Sequence, residues 1–199
     1  MIDNICFRQA ELLLRVLPLV DREAVFALKG GTAINFFVWD LPRVSVDIDL
    51  VYLPIGERDS SLRELSAALV RISREVESRI PGTTIIPKRL RGTDLWSGCS
   101  VQREDAAIKI EPNLVMRGSL FPPERRTLTP KARSVFELSV ECRTLAEKEL
   151  YAGKLCAART ANTRPRVPEM SNRRSAGFDG RHLPRPLRPR SPENGDGGE

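Results

Sequence analysis

Histidine is nearly missing from this chain. His182 is the single copy, and the four cysteines (Cys6, Cys99, Cys142, Cys156) stand far apart with no Cys-x-x-Cys pair. That shortage excludes zinc fingers, Ser-His-Asp chemistry and a disulfide scaffold together. No apolar run approaches the roughly 18 residues that span a bilayer. The first residues, with Asp3, also lack the basic and then apolar pattern of a signal peptide. A soluble cytoplasmic protein with no membrane partner is the expectation. What is present suffices for a core: 199 residues, 41% of them apolar, about one ordinary domain.

Positive charge is unevenly spread. Of the net +6, residues 159–199 supply +4, from nine Arg, no Lys and five acidic residues. The texture changes at the same place. Up to about Ala158 apolar residues recur periodically, whereas beyond it Arg, Pro, Gly, Asn and Ser dominate. We therefore expect an ordered domain over 1–158 and a disordered Arg/Pro/Gly-rich tail over 159–199.

Within the body, Leu12, Leu13, Val16 and Leu17 predict a helix from Cys6 that ends around Pro18. A short apolar stretch, Val25 to Leu28, leads to Gly30-Gly31, and Thr32 is a suitable N-cap for a helix over 33–39 closed by Pro42. A strand over 44–53 follows. Ser61 and Glu64 read as a capping box, with Leu62, Leu65, Leu69, Ile72 and Val76 forming one helical face behind them. Further strands are expected at 83–89, 95–102, 106–114 and 134–140, with Pro122, Pro123 and Pro130 in a loop, and a last helix starts near Ala146. The architecture is α/β with a mixed sheet.

The sharpest local feature is Ser45-Val46-Asp47-Ile48-Asp49-Leu50. On a strand Asp47 and Asp49 share one face, and two carboxylates that close raise each other's pKa unless a cation lies between them. Hard oxygen ligands of this kind suit Mg2+ bound with substrate phosphates. The alternative is an edge strand with two solvated aspartates, but Val44, Val46, Ile48 and Leu50 commit the opposite face to a core. Gly30 and Gly31, before a helix, allow close backbone approach to an anion, or simply make a turn. Glu111, in Ala107-Ile108-Lys109-Ile110-Glu111-Pro112-Asn113, completes a carboxylate triad if its strand neighbours the first, and is a surface residue otherwise.

The segments Ala27-Leu28-Lys29-Gly30-Gly31-Thr32-Ala33-Ile34-Asn35 and Leu41-Pro42-Arg43-Val44-Ser45-Val46-Asp47-Ile48-Asp49-Leu50 resemble the AbiEii/AbiGii toxin family of nucleotidyltransferases, in the DNA polymerase beta-like superfamily. The similarity continues through Ile108 to Glu111 and Arg117-Gly118 and ends in Glu149-Leu150-Tyr151-Ala152-Gly153-Lys154-Leu155-Cys156-Ala157-Ala158. The resemblance implies a polymerase beta-like core. It also implies Mg2+ on Asp47 and Asp49, phosphates held by Gly30, Gly31 and Thr32, and Lys154 as a point charge beside them. Arg43 and Ser45 would steady the site. The implied reaction moves a nucleoside monophosphate from a triphosphate to an acceptor hydroxyl, with the tRNA 3′ end as acceptor. The implied setting is a toxin–antitoxin or abortive-infection phage-defence system with a cognate antitoxin.

The pattern breaks after Ala158. In the family the Gly-Lys-Leu helix runs into a segment like Leu-Asp-Arg-Gln-His-Pro-Arg-Asp, whose final Asp belongs to the site. Here Arg159-Thr160-Ala161-Asn162-Thr163-Arg164 stands instead. Codons CGG ACC GCC AAC ACC CGC encode that peptide, and read two bases later they spell Asp-Arg-Gln-His-Pro. A frameshift near codon 159 is the expectation. It leaves a truncated chain that binds nucleotide but transfers it little or not at all, or a non-catalytic relic that binds nucleotide or antitoxin. A third reading is an arginine-rich RNA-binding arm, for which Phe178 is the one stacking aromatic.

Overall fold

The computed structural model describes residues 4–153 and residue 155. The expected boundary at 158 and the tail 159–199 lie outside the described residues, as does Lys154. Leucines and valines on one flank make helix α1 (Asn4–Val20), with Leu13, Leu14, Val16 and Leu17 at most 1% exposed. This helix does not stop at Pro18. The proline sits in its last turn with its ring exposed, and burial of Leu17, Leu19 and Val20 outweighs the one lost hydrogen bond.

Strand β1 (Phe26–Lys29) runs directly into a short helix, α2 (Gly30–Ala33), which continues as a π-helical turn over Ile34–Val38. Thr32 is not the N-cap. Helical geometry begins at Gly30, and Lys29 occupies the cap position with no side-chain bond. Strand β2 (Asp47–Tyr52) is shorter than expected, since Val44 to Val46 belong to the loop. Helix α3 (Arg58–Arg79) starts one turn before the expected capping box. The Ser61 hydroxyl instead donates to the Glu57 carbonyl at 2.6 Å, while the Glu64 carboxylate accepts from the Tyr52 hydroxyl.

Strands β3 (Thr83–Arg89), β4 (Trp96–Arg103) and β5 (Ala106–Arg117) follow as an antiparallel run. Two expectations fail beyond it. The stretch expected as a strand over 134–140 holds none: its first three residues end helix α4 (Pro130–Phe136) and the rest is turn and loop, because Pro130 is preorganised for a first helical turn and Glu137 closes the helix with φ +52°. The segment read as loop contains strand β6 (Glu124–Thr127), which pairs with β7 (Glu141–Thr144) at the sheet edge. Its charged sequence suits an edge. Helix α5 covers 147–153.

The seven strands lie in the order β3-β4-β5-β2-β1-β7-β6. The β2–β5 and β1–β7 pairs are parallel and the others antiparallel, giving the expected mixed sheet. Helices α1 and α3 pack against the sheet and each other. Ile48, Leu50, Ile108 and Ile110 are at most 1% exposed, each contributing about 1.5–3 kcal/mol by burial. That burial holds the two central parallel strands in register.

Candidate functional site

Register is what assembles the site. Asp49 pairs with Lys29 of β1 on one side and with Glu111 of β5 on the other, and Asp47 pairs with Lys109. Side chains two apart on β2 share a face, so Asp47, Asp49 and Glu111 lie on one side of the sheet, opposite the buried Ile48 and Leu50. Asp47 is exposed and Asp49 half-buried. Burial pushes the Asp49 carboxyl above the ordinary carboxylate range. Lys29 draws it back, and the charges of Asp47 and Glu111 push it further up.

The glycines explain how backbone comes so close to that carboxylate. Gly30 has φ +72°, and a Cβ there would fall 2.2 Å from Asp49 Oδ2. Only glycine relieves both the backbone strain and the collision. A Cβ on Gly31 would lie 3.2 Å from Ser45 Oγ and 3.9 Å from both Arg43 Nη2 and Asn35 Nδ2. These side chains therefore converge beneath the turn. Thr32 is fully buried, and its Oγ1 lies 2.5 Å from the Asp47 carbonyl and 2.9 Å from Ser45 Oγ. One hydroxyl proton cannot serve both, so Thr32 donates to the carbonyl and accepts from Ser45. The pair ties the loop carrying Arg43 and Ser45 to the start of β2.

An open cleft of about 290 Å3 runs beside this row, lined by Lys29, Asp49, Lys88, Ser97 and Glu111 among others. Lys88 Nζ lies 2.9 Å from Glu111 Oε1. The structure thus brings together Gly30, Gly31, Thr32, Ser45, Asp47, Asp49 and Glu111, with exposed Arg43 beside the Gly31 turn. Sequence reasoning passed over Lys29, Lys88 and Asn35. The Asn35 carboxamide is fully buried with neither Nδ2 nor Oδ1 hydrogen-bonded among the described residues. It lies in the π-helical turn that follows the glycines, a feature that residue types alone do not announce.

Among the described residues no three His, Cys, Asp or Glu side chains are already gathered tightly enough to hold a metal ion. The donor set instead fits a sparser site. Two hard carboxylates on adjacent same-face positions, one half-buried against like charge, suit a cation completed by substrate phosphates. No described helix is long and apolar enough to cross a membrane.

Residues 11–183 match the family described as nucleotidyl transferase AbiEii toxin, type IV toxin–antitoxin system. Among solved structures the chain is similar to MenT4, a nucleotidyltransferase toxin from Mycobacterium tuberculosis H37Rv. The two share 16% identity with a TM-score of 0.54, over 76% of this chain and 52% of that one. This likeness is one of fold, and the chain spans about half the length of that toxin. No curated protein sequence matches the chain.

Proposed function

The chain belongs to the AbiEii family of nucleotidyltransferase toxins, and from that premise we propose that its cleft binds a nucleoside triphosphate with Mg2+ and aims the α-phosphorus at an acceptor hydroxyl. The observation that carries this reading is Asp49, held between Lys29 and Glu111 in register, with Asp47 beside it and the Gly30 backbone packed on its carboxylate. In the transfer, the acceptor oxygen bonds to the α-phosphorus in line, the bond to the leaving pyrophosphate breaks, and the hydroxyl proton passes to water.

Mg2+ held by Asp47 and Asp49 would offset phosphate charge and lower the pKa of the attacking hydroxyl. The charge of Lys29, the register partner of Asp49, favours the ionised carboxylate against the burial that opposes it. Gly30 and Gly31 let the triphosphate approach the chain, while Thr32 and Ser45 fix the loop that carries Arg43 beside the turn. Glu111 adds a third carboxylate at the back of the row. Lys154, by family resemblance, serves the same phosphates. Catalysis here is positioning and charge neutralisation.

By the same resemblance the acceptor is the 3′ end of tRNA, the partner a cognate antitoxin, and the compartment the cytoplasm. Incubation with total tRNA and each labelled triphosphate tests this reading. Label should enter tRNA from one triphosphate, slowly for the 199-residue chain, and not at all with Asp47→Ala. Label transfer by Asp47→Ala would refute the metal site.

Slow transfer follows from the segment after Ala158, which lacks the family's last aspartate. Groups that act as a unit lose several powers of ten in rate when one is removed. We read 159–199 as an out-of-frame replacement, although the family match runs on to residue 183. Restoring the plus-two frame after codon 158 should raise transfer about 10³-fold. If that frame does not continue in family-like sequence, the frameshift reading falls.

A further inference from the structure

Lys88 lines the cleft but has no role in the transfer as described so far, and the sheet places it there by an unusual route. It lies on β3, two strands away from β5, and would be too far to meet Glu111 if β4 carried a side chain between them. At that position β4 has Gly98, the register partner of Lys88. A Cβ on Gly98 would fall 2.8 Å from the Ile110 carbonyl and 3.9 Å from Glu111 Cγ, so the space over β4 is open only because the residue is glycine. The β3–β4 register also slips between Lys88 and Arg89, and Ser97, the extra residue, donates from Oγ to the Lys88 carbonyl at 3.0 Å. A bulge of this kind re-aims the side chain beside it. Lys88 Nζ accordingly reaches over β4 to Glu111 Oε1 at 2.9 Å, on the wall of the cleft that Lys29 and Asp49 also line.

The two lysines differ in freedom. Lys29 is half-buried in a central strand and fixed opposite Asp49, whereas the Lys88 side chain is 67% exposed at the sheet edge. An exposed ion pair of this sort is weak, because water screens it and a long side chain must be ordered to make it. A triphosphate entering the cleft offers a denser anion, and an ammonium on a flexible four-carbon stem can turn to it.

We propose that Lys88 is the movable cation of the cleft, paired with Glu111 in the free protein and transferred to the phosphates of the bound nucleotide, so that Glu111 is released as they arrive. The proposal rests on the nucleotidyltransferase reading above and adds to it a substrate-positioning residue, together with a reason for Gly98. The arrangement lowers the cost of an acidic cleft while it is empty. It also couples nucleotide arrival to exposure of the third carboxylate.

The test is equilibrium binding of a non-hydrolysable triphosphate to the full chain, in Mg2+ and in EDTA. The proteins are wild type, Lys88→Gln, Lys88→Arg, Glu111→Gln and the double variant Glu111→Gln/Lys88→Gln. Because Lys88 is exposed, its variants should melt with wild type. We expect Lys88→Gln to bind about 5- to 10-fold more weakly and Lys88→Arg to recover most of the loss, as a charge-assisted contact to phosphate would. In EDTA, Glu111→Gln should bind more tightly than wild type, with most of that gain gone in the double variant. Wild-type affinity in Lys88→Gln, or a full Glu111→Gln gain without Lys88, overturns the proposal and leaves the nucleotidyltransferase reading standing. A wild-type chain that binds no triphosphate overturns both.

Discussion

At the β6–β7 edge of the sheet Arg125 bridges Asp21 and Glu141 at 2.8 and 2.7 Å, and Arg126 bridges Glu124 and Glu147 at 2.6 and 3.2 Å. Around β2, three carboxylates share Lys29 and Lys88. In the first cluster each guanidinium spans two carboxylates, and Asp21 also takes the Arg143 backbone N–H at 2.7 Å. There each carboxylate is matched to a guanidinium. In the second, neither Asp47 nor Asp49 is hydrogen-bonded or salt-bridged by its side chain among the described residues, and Asp49 is held above its ordinary pKa. Both clusters contain acids and bases in quantity, so the distinction lies in pairing. A folded chain that leaves half-buried carboxylates beside one another keeps an unfavourable arrangement that a bound cation would relieve.

That contrast can be broken most forcefully at the turn. Gly30→Ala combines φ +72° with a Cβ 2.2 Å from Asp49 Oδ2, whereas Gly82→Ala, at φ +80°, meets nothing within 4 Å. We expect the first to cost ~2 kcal/mol or more and the second ~1 kcal/mol, because only the backbone strain is common to both. Thermal melting should show the difference, and triphosphate binding should fall only in Gly30→Ala. Equal losses would mean that the approach to Asp49 is not tight.

A smaller effect follows from the Asp49 pKa. The folded-state value lies above the unfolded one, so stability is greatest below the unfolded pKa and falls as pH rises through the folded value. Asp49→Asn cannot ionise and escapes that loss. Its Tm should exceed that of wild type at pH 7 and converge with it toward pH 3. A variant that gains stability while losing its ligand is the signature of a site kept for function. Identical melting curves across the range would remove the electrostatic half of the argument.

The smallest effect belongs to the paired cluster. Arg125→Ala should cost ~1 kcal/mol or less, as exposed pairs do, and leave triphosphate affinity unchanged. A tenfold change in nucleotide binding there would erase the distinction between the two regions.

Much of the site was legible because its signals are local. The alternation around Asp47 and Asp49 sets which face each residue occupies, and the glycine pair before a helix marks a close approach whatever the fold. The Glu111 position depended on strand order, which follows from packing between distant segments, so sequence left it open until the β2–β5 register placed it beside Asp49. Lys88 was further out of reach, since its role needs β3, β4 and β5 in order, a bulge at Ser97 and an empty position at Gly98. The two errors over 124–140 run in opposite directions. Val135 and Phe136 read as strand by residue type, but Pro130 starts a helix and the strand begins only at Glu141. Glu124 to Thr127 carries too much charge to announce a strand, and pairing with β7 imposes one.

The most direct measurement is calorimetric titration of the full chain with a non-hydrolysable triphosphate, with and without Mg2+, for wild type and Asp47→Ala. The account predicts that Mg2+ tightens binding to wild type about tenfold, roughly 1.4 kcal/mol, and does nothing for Asp47→Ala. Equal wild-type affinity with and without Mg2+ would contradict it.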